Sequence, residues 1–272
     1  MSSNKQYSFE DLKTLMSRLR DKNDGCPWDI KQTFQSIVPH TLEEVYEVID
    51  TIERKDYEHL SEELGDLLFQ VVFYAQIADE EERFDLDKVI HGLVEKLIYR
   101  HPHVFPDGTL NSRADKNKLS DIEINAQWDT LKSAEKRKKA SQVLADVPVA
   151  LPGLLRAKKL QSKAAKVGFD WPDISAVLDK VDEEIHELKE AIVSGEQRHI
   201  EDELGDVLFV LANVARHMKV DPEQAVRRTN QKFESRFTFV ESQVIESGKN
   251  WQDFTLTELD KFWNQAKVLK KL

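Results

Sequence analysis

The sequence predicts an all-α protein built from two copies of one helical domain. Three observations carry that expectation. Apolar residues recur every three to four positions along most of the 272 residues, and no stretch alternates as a strand would. Gly (9) and Pro (8) are scarce, too few for a sandwich of many tight turns. Residues 62–69, EELGDLLF, return at 202–209 as DELGDVLF, with six of eight positions identical at an offset of 140.

The elements follow in order. Helical periodicity is expected near 8–22 and 41–54, where Thr41-Leu42-Glu43-Glu44 has the form of a capping box. Leu64, Leu67, Leu68, Val71, Val72 and Ala75 then trace one helix face. Further helices are expected at 86–100 and 120–140, separated by a polar loop at 101–120 with Pro and Gly punctuation. Residues 146–152, with two prolines, read as a linker, so the repeats are expected at 1–145 and 153–272. The second copy repeats the plan with helices near 153–166, 174–193, 221–246 and 255–270. Its matching stripe is Leu204, Val207, Leu208, Leu211, Ala212 and Ala215.

Composition narrows the function. The 50 acids outnumber 39 Lys and Arg, a net charge of −11, which argues against long nucleic acids and anionic membrane surfaces as partners. One cysteine, Cys26, allows no internal disulfide and fits a reducing cytoplasm. No apolar run reaches the length of a membrane span, and the first ten residues lack a signal-peptide core.

The acids themselves are patterned. Glu43-Glu44-x-x-Glu47 maps onto Glu183-Glu184-x-x-Glu187, and Glu63 and Asp66 onto Glu203 and Asp206, with a gap of 16 from Glu47 to Glu63 and from Glu187 to Glu203. Glu184 and Glu187 share a helix face, as do Glu203 and Asp206, and Gly195 supplies a turn between the two helices. Four carboxylates would then point into one space, tolerable if solvated, protonated or bound to a cation. Hard oxygen ligands suit Mg²⁺, with Mn²⁺ as a substitute. A solvated acidic face is the plainer reading of any single pair. Helix capping also fails for the second copy, because Val181 stands where the first has Thr41. Gly65 and Gly205, inside their helices, suggest close approach by a neighbouring helix or a ligand.

Basic residues recur too. Lys96 and Arg100 match Lys232 and Arg236 at an offset of 136, and Trp128 matches Trp263 at 135. Lys180 lies one turn before Glu184. Cations beside a metal site fit a polyanionic ligand, and a triphosphate is the natural match. The tryptophans either stack on a base or pack. Two other readings remain: a helical scaffold with an acidic docking face, and a di-iron carboxylate bundle, for which Glu183-x-x-His186 supplies one of the two pairs needed. His101 and His103 are a further metal pair by type, but Phe237 and Phe239 replace them in the second copy, which favours a local structural role.

EExxE, then ExxD, then KxxxR resembles the MazG-type nucleoside triphosphate pyrophosphohydrolases. The stretches Gly25-Cys26-Pro27-Trp28-Asp29, Val167-Gly168-Phe169-Asp170-Trp171 and Arg100-His101-Pro102-His103-Val104-Phe105 resemble its two-domain members, so the likeness covers nearly the whole chain. The resemblance implies tandem all-α domains, a Mg²⁺-dependent homodimer, and hydrolysis of NTPs to NMP and pyrophosphate. It implies that Glu184, Glu187, Glu203 and Asp206 hold the metal, with Glu184 and Glu203 catalytic. It further implies that Lys180, Lys232, Arg236 and Trp263 contact the nucleotide. The matching first-copy set is Glu44, Glu47, Glu63, Asp66, Lys96 and Arg100. His40 replaces Lys180 there, which points to the second copy as the catalytic one. The constellations hold 14 acids, and without them 36 acids face 39 bases, so the acidity is concentrated rather than spread as a solvating coat.

Overall fold

The computed structural model describes residues 6–113, 120, 122–124, 126–128, 130–131 and 142–269. Every regular element among them is helical. The chain divides into two compact units, Met1–Ala134 and Glu135–Leu272. Of the helix expected at 120–140, the described residues between 122 and 131 are helical and the remainder lies outside the described residues, as do 114–119 of the expected loop.

The first unit opens with α1 (Phe9–Leu19), whose start is fixed by a capping box between Ser8 and Asp11. A single 3₁₀ turn, Asp29–Lys31, leads into α2 (Phe34–Arg54). Helices α3 (Tyr57–Glu80) and α4 (Leu86–Arg100) follow, capped by Asp56 and Asp85. Helices α2 and α3 pair as a hairpin across a two-residue turn, with α1 and α4 against α3. Met16, Ile37, Val72, Phe73, Ala75, Ile77 and Leu86 form the core.

The expected start of α2 is corrected by seven residues. Thr33, not Thr41, caps the helix, in a box with Ser36. Thr41 sits inside, its hydroxyl donating to the Ile37 carbonyl at 3.1 Å and lying 3.0 Å from the Tyr74 hydroxyl. Pro39 misled the sequence reading. It lies in the second turn, where its ring removes one backbone hydrogen bond and the helix continues past it.

The second unit contains α5 (Gly153–Ala165), α6 (Ile174–Ser194), α7 (Gln197–His217), α8 (Pro222–Ser247) and α9 (Leu256–Leu269). Helices α6 and α7 form the matching hairpin; α5 packs on α7, and α8 on α9 and α5. Gly195 takes φ +74° at the end of α6, the expected turn. At the offset of 140 its counterpart is Lys55, a non-glycine residue at φ 59°. The segment expected as a linker is held to α5: Lys163 Nζ meets Asp146 at 2.7 Å, and Val147 is buried.

The two ELGD helices carry more apolar surface than their units bury. Val72 and Ala75, and likewise Val207 and Ala212, face inward. Leu64, Leu68 and Val71, and their counterparts Leu204, Leu208 and Leu211, stand about 40 to 50 % exposed. Close approach of a neighbouring helix to Gly65 or Gly205 does not occur among the described residues: a Cβ on either would meet none of their atoms within 4 Å.

Candidate metal centre

The α6–α7 hairpin runs its two helices side by side, so acids spaced by one turn on each face the same gap. Ligand oxygens of Glu184, Glu187 and Glu203 all lie within 4.8 Å of one another. Glu184 is buried and Glu203 largely so. Asp206, the fourth expected ligand, is exposed and lies outside that tight group. It lines a small cavity beside the group, shared with Lys180 and Glu184.

Crowded carboxylates resist ionisation. The Glu187 carboxyl is held above its ordinary value by desolvation first, then by the charges of Glu184 and Glu203, with Lys180 acting against them. Lys180 Nζ is clamped between Glu183 and Glu184, 2.7 Å from each, and its pKa is raised accordingly. On α7, His199 Nε2 lies 3.1 Å from Glu203 Oε1. The other oxygen, Glu203 Oε2, is buried with no hydrogen-bond partner among the described residues. A buried carboxylate oxygen without a donor is costly unless something cationic meets it. Three hard oxygen donors around such an atom fit a divalent cation of the Mg²⁺ or Mn²⁺ kind.

The first unit repeats the cluster with Glu44, Glu63 and Asp66. Glu47 lies outside that tight group yet acts on it electrostatically. Desolvation first, then Asp66 and Glu47, raise the Glu44 carboxyl; desolvation, Glu47 and Asp66 raise Glu63. His40, the counterpart of Lys180, reaches Glu43 at 3.8 Å.

The basic residues form a separate group. Arg236 lies over the Trp263 ring at 5.8 Å, and Phe233 tilts against the same ring at 5.2 Å. Arg100 lies over Trp128 at 5.5 Å in the first unit, so the pairing itself is duplicated. Lys232, on α8 with Arg236, is half-buried. No hydrogen bond or ion pair among the described residues joins Lys232 or Arg236 to the acids. The acids stand on the α6–α7 hairpin and the basic residues on the helix that follows it, as the sequence order has them.

Two alternatives lose ground on geometry. His186 is turned to solvent, paired with Glu190 at 3.3 Å, rather than facing the acids as a di-iron ligand would. His101 packs edge-on against Trp128 at 4.8 Å, with Nδ1 2.6 Å from the Leu97 carbonyl, which is a local structural role. The sequence reading also missed side chains around the cluster: His199, Gln161 and Asn213. A visible signal existed for Asn213, a polar residue in the buried register of an apolar helix.

Fold and site together define a class: a duplicated all-α protein whose helix hairpins each gather carboxylates suited to a divalent metal. The comparisons make the class specific. The profile of the MazG nucleotide pyrophosphohydrolase domain matches twice, at residues 32–105 and 173–240. The chain is 45% identical over 261 residues to the nucleoside triphosphate pyrophosphohydrolase of Escherichia coli K12, covering 94% of this chain and 95% of that one. It is 41% identical over 259 residues to the nucleoside triphosphate pyrophosphohydrolase/pyrophosphatase MazG of Thermotoga maritima, covering 95% of each. The uncharacterized protein YabN of Bacillus subtilis is 43% identical, covering 97% of this chain and 53% of its own length. The chain belongs to the MazG nucleotide pyrophosphohydrolase family and is an enzyme of the pyrophosphohydrolase class.

Proposed function

We propose that the second unit hydrolyses nucleoside and deoxynucleoside triphosphates to the monophosphate and pyrophosphate, with Mg²⁺ as the metal and Mn²⁺ able to replace it. The observation that carries this reading is the Glu184, Glu187 and Glu203 cluster with its unpartnered buried oxygen. Glu184, Glu187 and Glu203 would hold the metal, with Asp206 completing the set from the cavity rim. Such a metal, when bound, neutralises phosphate charge and acidifies a coordinated water. Glu203, held at one oxygen by His199, is oriented to accept the proton of an attacking water, and Glu184 is its catalytic companion. Water oxygen bonds to the α-phosphorus, the α–β bridging bond breaks, and pyrophosphate leaves with that electron pair. Lys180 is poised to exchange its carboxylate partners for phosphate oxygens. Lys232, Arg236 and Trp263 form the remaining nucleotide contacts.

We propose further that the enzyme works as a homodimer in the cytoplasm. The exposed stripe of Leu204, Leu208 and Leu211 runs beside the acidic cluster, and such a stripe is best covered by a second copy. Association would also offer a route by which the α8–α9 basic group of one copy meets the acids of another. No described helix is long and apolar enough to cross a membrane.

The test is product analysis. The protein is incubated with Mg²⁺ and each NTP and dNTP, and the products are resolved by ion exchange. Monophosphate plus pyrophosphate is expected; diphosphate plus phosphate, or no turnover, refutes the reading. Light scattering during chromatography reports the dimer, and Leu208→Glu is expected to shift it to monomer.

A further inference from the structure

The segment that joins α5 to α6 has little burial to hold it in place. Every residue from 166 to 173 is exposed. The backbone amides of Val167, Gly168 and Phe169 bond locally, to the Ala164 and Ala165 carbonyls at the end of α5. The segment nevertheless carries Trp171, which lines a small cavity with Lys180, Glu184 and Asp206 beside the acidic cluster. Trp171 is itself exposed, so packing alone does not keep its ring there.

A guanidinium fork ties the segment to α7. Arg216, in the last turn of that helix, grips the Asp170 carboxylate with both terminal nitrogens, Nη1 at 3.0 Å. Its Nε donates to Asn213 Oδ1 at 2.8 Å, and Asn213 is buried, so the fork starts from a fixed point. Asp170 Oδ1 in turn accepts from the Trp171 backbone N–H at 2.9 Å. A chain of contacts thus runs from the buried Asn213 through Arg216 and Asp170 to the backbone of Trp171. His217 Nε2 lies 3.4 Å from the same carboxylate, and the Arg216 hydrogen bonds hold the Asp170 carboxyl below its ordinary value. Exposed ion pairs contribute little, but this one is bidentate, with the Arg216 and Asp170 side chains only 15% and 28% exposed.

The first unit secures its own tryptophan segment with other residues. Arg20 grips Glu80, at the end of α3, through Nε at 2.8 Å and Nη2 at 2.7 Å, while Nη1 donates to the Asp29 carbonyl next to Trp28. Trp28 then meets the His40 ring edge-on at 5.8 Å, and His40 stands where the second unit has Lys180. At the offset of 140, Arg216 falls on Gln76 and Glu80 on Val220, so the two pairs are not counterparts. What recurs is the placement of a tryptophan beside the residue that precedes the acids.

We propose that Asp170 and Arg216 are positioning residues for the hydrolysis, acting on the substrate through Trp171. The inference rests on the nucleotide-hydrolase reading above. The pair holds the Trp171 ring as a fixed wall at the mouth shared by Lys180, Glu184 and Asp206, so a triphosphate held on the metal lies against an ordered apolar surface instead of open water. A wall acts on ground state and transition state alike, so its loss raises KM and leaves kcat nearly unchanged.

The test is a double-mutant cycle on KM. Asp170→Asn keeps the side chain's size and an acceptor for the Trp171 N–H, but gives up the charge that Arg216 grips. It is expected to raise KM for NTPs about tenfold with kcat within about twofold, and Trp171→Ala is expected to do the same. The two combined are expected to raise KM no further than Trp171→Ala alone. Arg216→Lys keeps the charge without the fork and is expected to fall between wild type and Asp170→Asn; it carries the same cycle if Asp170→Asn proves unstable by circular dichroism. An unchanged KM, with or without a lower Tm, or KM effects that multiply in the double variant, overturns the proposal and leaves the pair a purely structural contact. Wild-type turnover is measured in parallel. Intact wild-type turnover with unchanged variant KM refutes the positioning role alone, whereas a wild type that turns over no NTP refutes the hydrolase reading and the positioning role with it.

Discussion

Glu203→Gln separates the roles of the two clusters. The substitution keeps size and shape but removes one of three gathered negative charges. A divalent ion about 2.1 Å from a carboxylate oxygen is attracted by about 4 kcal/mol even at the dielectric of bulk water, which corresponds to about a thousandfold in affinity. The amide oxygen retains part of that attraction, so the expected loss in Mg²⁺-dependent kcat/KM is about two to three orders of magnitude. Folding is expected to respond in the opposite sense. Glu203 charge is one of the causes that hold the Glu187 carboxyl above its ordinary value, so its removal relieves crowding in the metal-free protein. The assay couples pyrophosphate release to a Mg²⁺ titration and a thermal melt with and without metal. Activity should collapse, the metal-free Tm should hold or rise, and the Tm increment on adding Mg²⁺ should shrink. Glu63→Gln should leave most of the activity. If Glu63→Gln abolishes turnover and Glu203→Gln does not, the assignment of catalysis to the second unit is wrong.

Three further outcomes follow from named contacts. Glu187 binds protons more tightly folded than unfolded, so its contribution lowers stability as pH rises from the ordinary carboxylate value through its raised folded value; the wild-type minus Glu187→Gln difference in denaturation midpoint should become more negative across that window, and saturating Mg²⁺ should reverse the trend at neutral pH. Lys55 holds φ 59° where the second copy has Gly195, so Lys55→Gly should stabilise the first unit by about 1 kcal/mol and Gly195→Ala should destabilise the second by a similar amount, read from urea midpoints. Gly25 admits no side chain, because a Cβ would lie 2.5 Å from the Asp21 carbonyl oxygen and 2.6 Å from that of Leu19; Gly25→Ala should cost about 2 kcal/mol or more in the same assay.

How much of this was legible in the residues depends on what kind of interaction carries it. Helix existence was legible, because a period of 3.6 is imposed by burial and leaves a stripe. The hairpin turn at Gly195 was legible because only glycine takes that φ freely. The start of α2 was not, because Pro39 and a Thr-x-x-Glu pattern imitate a helix start inside a helix that begins at Phe34. The acidic clusters were legible through duplication: one ExxE is noise in an acidic chain, while two at equal spacing are not. That Arg236 meets Trp263 was hidden, since spacing within a helix says nothing about which helices pack together. Gln161 and Asn213 were hidden for a related reason: only tertiary partners decide which end of each amide is occupied.

The duplication also shows what a catalytic unit needs beyond its metal ligands. Both copies keep the acids, although carboxylates that crowd one another do not favour the metal-free fold. The neighbours diverge instead. Lys180 becomes His40, exchanging a permanent charge beside the cluster for a titratable ring 3.8 Å from Glu43. Asn213 becomes Phe73, exchanging a buried amide with an unmet donor for a ring that fills the core. The traffic is not all one way, because the first unit has a buried amide with an unmet oxygen at Gln70 where the second has Val210. Unmet buried polarity lowers stability, so a fold retains it where a ligand supplies the missing partner. On that physical ground the permanent charge of Lys180 is what favours the second unit as the one proposed to meet a nucleotide, and the contrast between Glu203→Gln and Glu63→Gln tests it.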